Sequence, residues 1–129
     1  MYKNFRIFFS WPLVGIYAFL IFTLSSLSQP FGQFGGIDRY QKYHLDWVLH
    51  GVEYALFGFL LIRAMALSFG RMAFSKLFWL AVVLGILYGA SDEWHQSFVP
   101  LRDCSAVDWL ADSIGVFLGS IFYARNKGV

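Results

Sequence analysis

Four long apolar runs separated by short polar stretches set the plan of the chain. Ile7 to Leu27 is apolar apart from Ser10, Thr23, Ser25 and Ser26. Leu45 to Phe69 follows, entered through Asp46 and left past Arg63, and Leu77 to Phe98 is apolar through Leu87 and increasingly polar beyond it. The fourth run covers residues 105–124. Each run holds the roughly 20 apolar residues that a helix needs to cross a bilayer core about 30 Å thick. Between them, Ser28 to Tyr43 carries Pro30, Gly32, Gly35 and Gly36 and reads as an aqueous loop, Gly70 to Lys76 as a short basic loop, and Val99 to Cys104, with Pro100 and Arg102, as a turn. Pro12 is expected near the start of the first helix, where its missing N–H costs least. Ser105-Ala-Val-Asp108 matches a capping box that opens the fourth helix, with Asp108 favoured at the positive end of the helix dipole. A cleaved secretory leader is the rival reading of the first run; its length and the lack of an Ala-x-Ala-like site favour a retained helix.

Composition turns this pattern into a class. A chain of 129 residues is one domain by length, but 58% hydrophobic residues and a mean hydropathy of +0.56 lie far above an ordinary soluble chain. Fifteen Phe, seven Tyr and five Trp exceed what so small a core can hide from water, whereas a bilayer requires such a surface. The expectation is a single all-α domain over residues 1–129, a polytopic bundle of four transmembrane helices at about 7–27, 45–69, 77–98 and 105–124, with membrane lipids as its surroundings. A net charge of +2 and the lack of an internal basic run with interleaved aromatics argue against a nucleic-acid partner. The single Cys104 excludes an internal disulfide and a cysteine zinc cage.

Basic residues then orient the bundle. Four spans place Lys3, Arg6, Arg63, Arg71, Lys76, Arg125 and Lys127 on one side and Arg39, Lys42 and Arg102 on the other. Seven against three predicts both termini inside, in a multi-pass protein of the cytoplasmic (inner) membrane. All eight acidic residues, Asp38, Asp46, Glu53, Asp92, Glu93, Asp103, Asp108 and Asp112, fall in the outer half.

Three polar stripes mark where chemistry would sit. On the second helix Asp46, His50, Glu53 and Tyr54 share a face, with Gly51, Ala55 and Gly58 beside it. On the third, Gly85, Gly89, Asp92 and Gln96 share a face and Glu93 is one step round; on the fourth, Asp108, Asp112, Gly115 and Gly119 do. Glycines at such spacing let membrane helices approach closely, so these faces are expected inward with their polar ends converging at the outer surface. The binding set is therefore Asp46, His50, Glu53, Tyr54, Asp92, Glu93, Gln96, Arg102, Asp108 and Asp112.

Ionisable groups against hydrocarbon are costly and raise a functional question. One reading is a hydrogen-bonded network that sets helix register, with Arg102 bonding Asp92, Glu93 or Asp108 bidentately. It strains to explain so many facing carboxylates with one certain cation among them. A divalent metal would relieve that repulsion, its ligands drawn from His50, Glu53, Asp92 and Glu93 as in sites between facing bundle helices. General acid–base catalysis by the same four residues is the third reading. Ser91 and Ser97 are expected to bond backbone carbonyls, and His44 and His95 to lie at the interface with Trp47, Trp94 and Trp109.

His50-x-x-Glu53-Tyr54 with Gly58, then Tyr88-Gly-x-x-Asp92-Glu93-x-x-Gln96-x-Phe98-x-Pro100-x-Arg102, then Asp108 and Gly115-x-x-x-Gly119, resembles the VanZ-like family of small bacterial membrane proteins. The resemblance covers the last three helices. The chain departs from it at Trp47, where the family often has Lys, at Leu101, often Gly, and at Asp112, often Asn. The family takes its name from a protein associated with low-level resistance to the glycopeptide teicoplanin. The resemblance implies a cell-envelope role and, for this chain, an antibiotic response through a polar pocket that takes an envelope lipid, a lipid-linked precursor or the drug. The alternative is a membrane-embedded hydrolase or transferase acting on a lipid headgroup or cell-wall precursor.

Overall fold

The computed structural model describes residues 2–27, 39–100, 102 and 104–127, with side chains from residue 7 onward in the first segment and from residue 47 onward in the second. Residues 28–38, Asp103 and the side chains of Lys3, Arg6, Arg39, Lys42, His44 and Asp46 lie outside that description. Among the described residues there are four helices: α1 Tyr2–Ser25, α2 Arg39–Ser68, α3 Phe74–Gln96 and α4 Ala106–Asn126. Each holds an apolar stretch long enough to cross a membrane: Ile7–Ser25, Trp47–Ser68, Phe74–Gln96 and Ala106–Asn126. The chain is thus an all-helical, multi-pass membrane protein.

Hydropathy marks where a helix meets water, not where it stops. α2 begins at Arg39, inside the stretch expected to be loop as far as Tyr43, because Arg39 to His44 contains neither Gly nor Pro. α1 begins at Tyr2, so Pro12 sits in the helix interior rather than near its start. Membrane helices tolerate such a proline because nearby side chains and neighbouring helices can take over freed backbone groups. Ser10 Oγ donates to Ile7 O at 2.9 Å, one residue before the Phe8 carbonyl that an N–H at position 12 would have bonded.

α2 is the central element. It packs against α1, α3 and α4, whereas α1 and α4 do not touch among the described residues. Glycines bring α2 and α4 together backbone to backbone. A methyl group at Gly119 would run into the carbonyl oxygen of Ala55, at Gly115 into that of Gly51, and at Gly58 into that of Val116. Lipid tails are as apolar as leucine, so helices gain little from the hydrophobic effect in a bilayer; close van der Waals fit takes its place. Gly85 leaves room for Val116, whose Cγ1 would lie 2.6 Å from a Cβ there. Ile21, Tyr54, Phe57, Ile62, Met65, Leu77 and Val116 fill the interior.

Polar side chains clip the helices to one another's backbone. Tyr17 Oη donates to Glu53 O at 3.1 Å, Tyr88 Oη to Ala18 O at 2.6 Å, and Trp109 Nε1 to Ile86 O at 3.2 Å. Large apolar side chains such as Phe8, Ile16, Phe19, Val52, Leu87, Ile114 and Phe122 point outward, as a lipid-facing surface requires. Alternating helix direction gathers the end of α1, the first half of α2, the end of α3 and the start of α4 at one end of the bundle, where Ser26 Oγ meets His95 Nε2 at 3.0 Å.

Candidate functional site

At that end the polar residues divide into two connected groups, and His50 belongs to both. The first lines a cavity of about 340 Å³ between α1, α2 and α3. Its polar end is His50, Glu53, Asp92, Gln96 and Arg102, and its apolar wall includes Leu20, Ile21, Leu24, Leu49 and Val52. Leu20, Leu24, Leu49 and Val52 are also exposed on the outside of the bundle. The cavity therefore reaches the lipid-facing surface between α1 and α2. Gln96 Nε2 donates to Asp92 Oδ2 at 3.3 Å, one turn back on the same helix, and holds that carboxylate at the wall.

The second group lies behind His50, toward α4. His50 Nδ1 is 3.0 Å from Asp112 Oδ1, the only ion pair among the described residues. The imidazole donates when Asp112 is a carboxylate. Asp112 is fully buried, and Gly89 of α3 makes the space for it: a Cβ there would be 3.3 Å from Asp112 Cβ and 3.4 Å from Tyr54 Cε1. Glu93, 3% exposed, accepts from the backbone N–H of Ser105 through Oε2 at 2.7 Å. One ligand atom from each of His50, Glu93 and Asp112 lies within 4.8 Å of the others.

Several of these groups are short of partners. Asp92 Oδ1, Glu93 Oε1, Asp112 Oδ2 and Tyr54 Oη are buried and make no hydrogen bond among the described residues. Each such atom costs roughly 1–3 kcal/mol when nothing satisfies it, so the cluster is poor scaffolding. A register-setting network would close its own hydrogen bonds.

Only half of the expected capping box forms. Ser105 Oγ accepts from Asp108 N at 3.2 Å, as an N-cap does. The reciprocal bond to the Ser105 N–H comes from Glu93 on α3, which reaches across the turn where a local Asp108 carboxylate was expected. Asp108 itself stays partly exposed.

Arg102 corrects another expectation. Its Nε donates to Leu27 O at 3.1 Å, and it forms no ion pair with Asp92, Glu93 or Asp108. Leu27 lies just beyond the end of α1, where backbone carbonyls have no next helical turn to bond. Arg102 thereby ties the α3–α4 turn to α1 and faces the cavity. Of the four expected metal ligands, His50 and Glu93 come together with Asp112, while Glu53 and Asp92 lie on the cavity wall. Ser91 and Ser97 bond the carbonyls of Tyr88 and Trp94, and Cys104 is exposed.

The α1 side of the cavity was missed from the stripes. Ser10, Val14, Tyr17, Ile21 and Ser25 follow helical spacing, and all but the half-buried Tyr17 are buried. Tyr17 and Ser25 line the cavity. That periodic placement of hydroxyls in an apolar run was the available signal.

No curated protein and no solved structure matches the chain. The VanZ/LLP1 family model, by contrast, matches residues 9–126, which takes in α1 from Phe9 onward, the other three helices and both polar groups. The chain belongs to the VanZ/LLP1 family.

Proposed function

We propose that this protein works in the bacterial cell envelope by holding a membrane amphiphile, a lipid or lipid-linked precursor, with its apolar tail against α1 and α2 and its polar head among His50, Glu53, Asp92, Gln96 and Arg102. The observation that carries this reading is the cavity itself. It is apolar along its lipid-facing wall and polar at its inner end, so a ligand can enter sideways from the bilayer without leaving hydrocarbon. One guanidinium beside two carboxylates suits a head that carries a phosphate next to hydroxyl or amine groups. The positive-inside count supports placing both termini in the cytoplasm and this end of the bundle at the outer face of the cytoplasmic membrane. An intact glycopeptide is too large for 340 Å³. A response to teicoplanin would thus run through the lipid or precursor, not through binding of the drug.

The second reading, a hydrolase or transferase on the same headgroup, rests on His50. An imidazole held from behind by a buried carboxylate and facing a cavity is the arrangement of a general base.

Thermal midpoints of the detergent-solubilised protein, measured with polyprenyl phosphate, phosphatidylethanolamine and a long-chain alcohol, test the binding reading. The phosphate-bearing lipids should raise the midpoint and the alcohol should not, and Arg102→Gln and Glu53→Gln should lose the increase. Equal response to all three, or no response, overturns it. Release of headgroup or phosphate that His50→Gln abolishes without weakening lipid binding would select the enzyme.

A further inference from the structure

The geometry points to a divalent metal site of the Zn²⁺ or Mn²⁺ type, held by His50 of α2, Glu93 of α3 and Asp112 of α4. It stands whether or not an amphiphile occupies the neighbouring cavity. Three helices each deliver one ligand atom, and the three atoms lie within 4.8 Å of one another. Tetrahedral ligands at the roughly 2.0–2.2 Å of zinc sit about 3.4 Å from one another, so three atoms within 4.8 Å need to close by at most about 1.5 Å to take the ion. One imidazole with two carboxylates is a donor set shared by zinc and manganese rather than by calcium.

The unpartnered oxygens are the second observation. Glu93 and Asp112 are 3% and 0% exposed, and each has one carboxylate oxygen committed to a bond, to Ser105 N and to His50, and one buried without a hydrogen bond. No Lys or Arg among the described residues pairs with either. Two buried carboxylates beside one imidazole lack a counter-charge that a dication supplies. Glycines keep the place clear: Gly89 faces Asp112, and Gly115, one turn further along α4, lets that helix close on α2. Three protein ligands leave coordination positions open for water or a ligand oxygen, the pattern of working rather than structural sites.

The test uses full-length protein in detergent, stripped with a chelator and dialysed. Titration with Mn²⁺ alone and Zn²⁺ alone, by calorimetry with elemental analysis of the dialysed complex, should give one ion per chain and a raised thermal midpoint. Glu93→Gln and Asp112→Asn keep side-chain volume and a hydrogen-bonding oxygen, and each should weaken binding by at least roughly ten- to a hundred-fold, the loss seen even for outer-shell partners. Electron spin-echo spectra of the Mn²⁺ complex should show modulation from one imidazole nitrogen in the wild type and none in His50→Gln. Failure to retain an ion, retention undiminished in both carboxylate variants, or a Mn²⁺ signal without nitrogen modulation would each overturn the site. The lipid-dependent midpoints above are read in chelator, so their outcome is separate from this one.

Discussion

Glu93 is the residue with most to do. It caps the backbone of α4 through one oxygen and offers the other to the buried group behind His50. The two duties separate by substitution. Glu93→Gln retains a carbonyl oxygen for the Ser105 N–H, so in chelator its thermal midpoint should stay near that of the wild type. Glu93→Ala strands that N–H and should cost roughly 1–3 kcal/mol, and Ser105→Ala, which removes the N-cap oxygen, about 1 kcal/mol. A Glu93→Ala midpoint equal to wild type would show that the cap matters little. Arg102 carries a different expectation. Because its bond is to the Leu27 carbonyl rather than to a carboxylate, Arg102→Lys and Arg102→Ala should each lower stability by less than about 3 kcal/mol, the upper end for a hydrogen bond with one charged partner. A loss of about 3–5 kcal/mol, as for a broken buried ion pair, would restore the carboxylate pairing.

At the scale of elements, the α2–α4 pair is where the bundle tolerates least change. Methyl groups on Gly58 or Gly119 meet backbone carbonyls, which cannot rotate away as side chains do. Gly58→Ala and Gly119→Ala should each destabilise by at least about 1–3 kcal/mol, read as a lower thermal midpoint in detergent. Gly15→Ala is the control: nothing lies within 4 Å of its Cβ position, so it should be neutral or slightly stabilising through helix propensity. Should Gly119→Ala behave like Gly15→Ala, the close helix approach is wrong. α1 is attached differently, through hydroxyl and indole bonds such as Tyr17 to Glu53 O and Trp11 Nε1 to Ser68 Oγ at 2.8 Å. Its lipid-exposed leucines form the cavity's gate-like edge with α2.

For the molecule as a whole, orientation decides what the cavity can meet. Reporter fusions after Lys127 and within the Gly70–Lys76 loop should report the cytoplasm, in keeping with the seven basic residues assigned to that side. Activity of an export-dependent reporter at either position would invert the bundle and place His50, Glu93 and Asp112 at the inner face.

Composition and periodicity were enough to show four membrane-crossing helices, because twenty apolar residues in a row have few alternatives and a helix is the one local structure that satisfies its own backbone in lipid. Motifs in the last three helices were enough to show the family. Glycine spacing at Gly115 and Gly119 showed which face of α4 would approach a neighbour. Other features depended on which atoms meet across helices, and no local pattern encodes that. Asp112, rather than Glu53 or Asp92, faces His50 because the tight α2–α4 approach brings their polar ends together while the α1 side opens into a cavity. Arg102 bonds α1 instead of a carboxylate because the turn carries it to Leu27. Helix ends, too, escaped hydropathy, since Arg39 to His44 continue as helix once clear of the apolar span. Local chemistry chose the helices and their inward faces; only packing in three dimensions chose the partners.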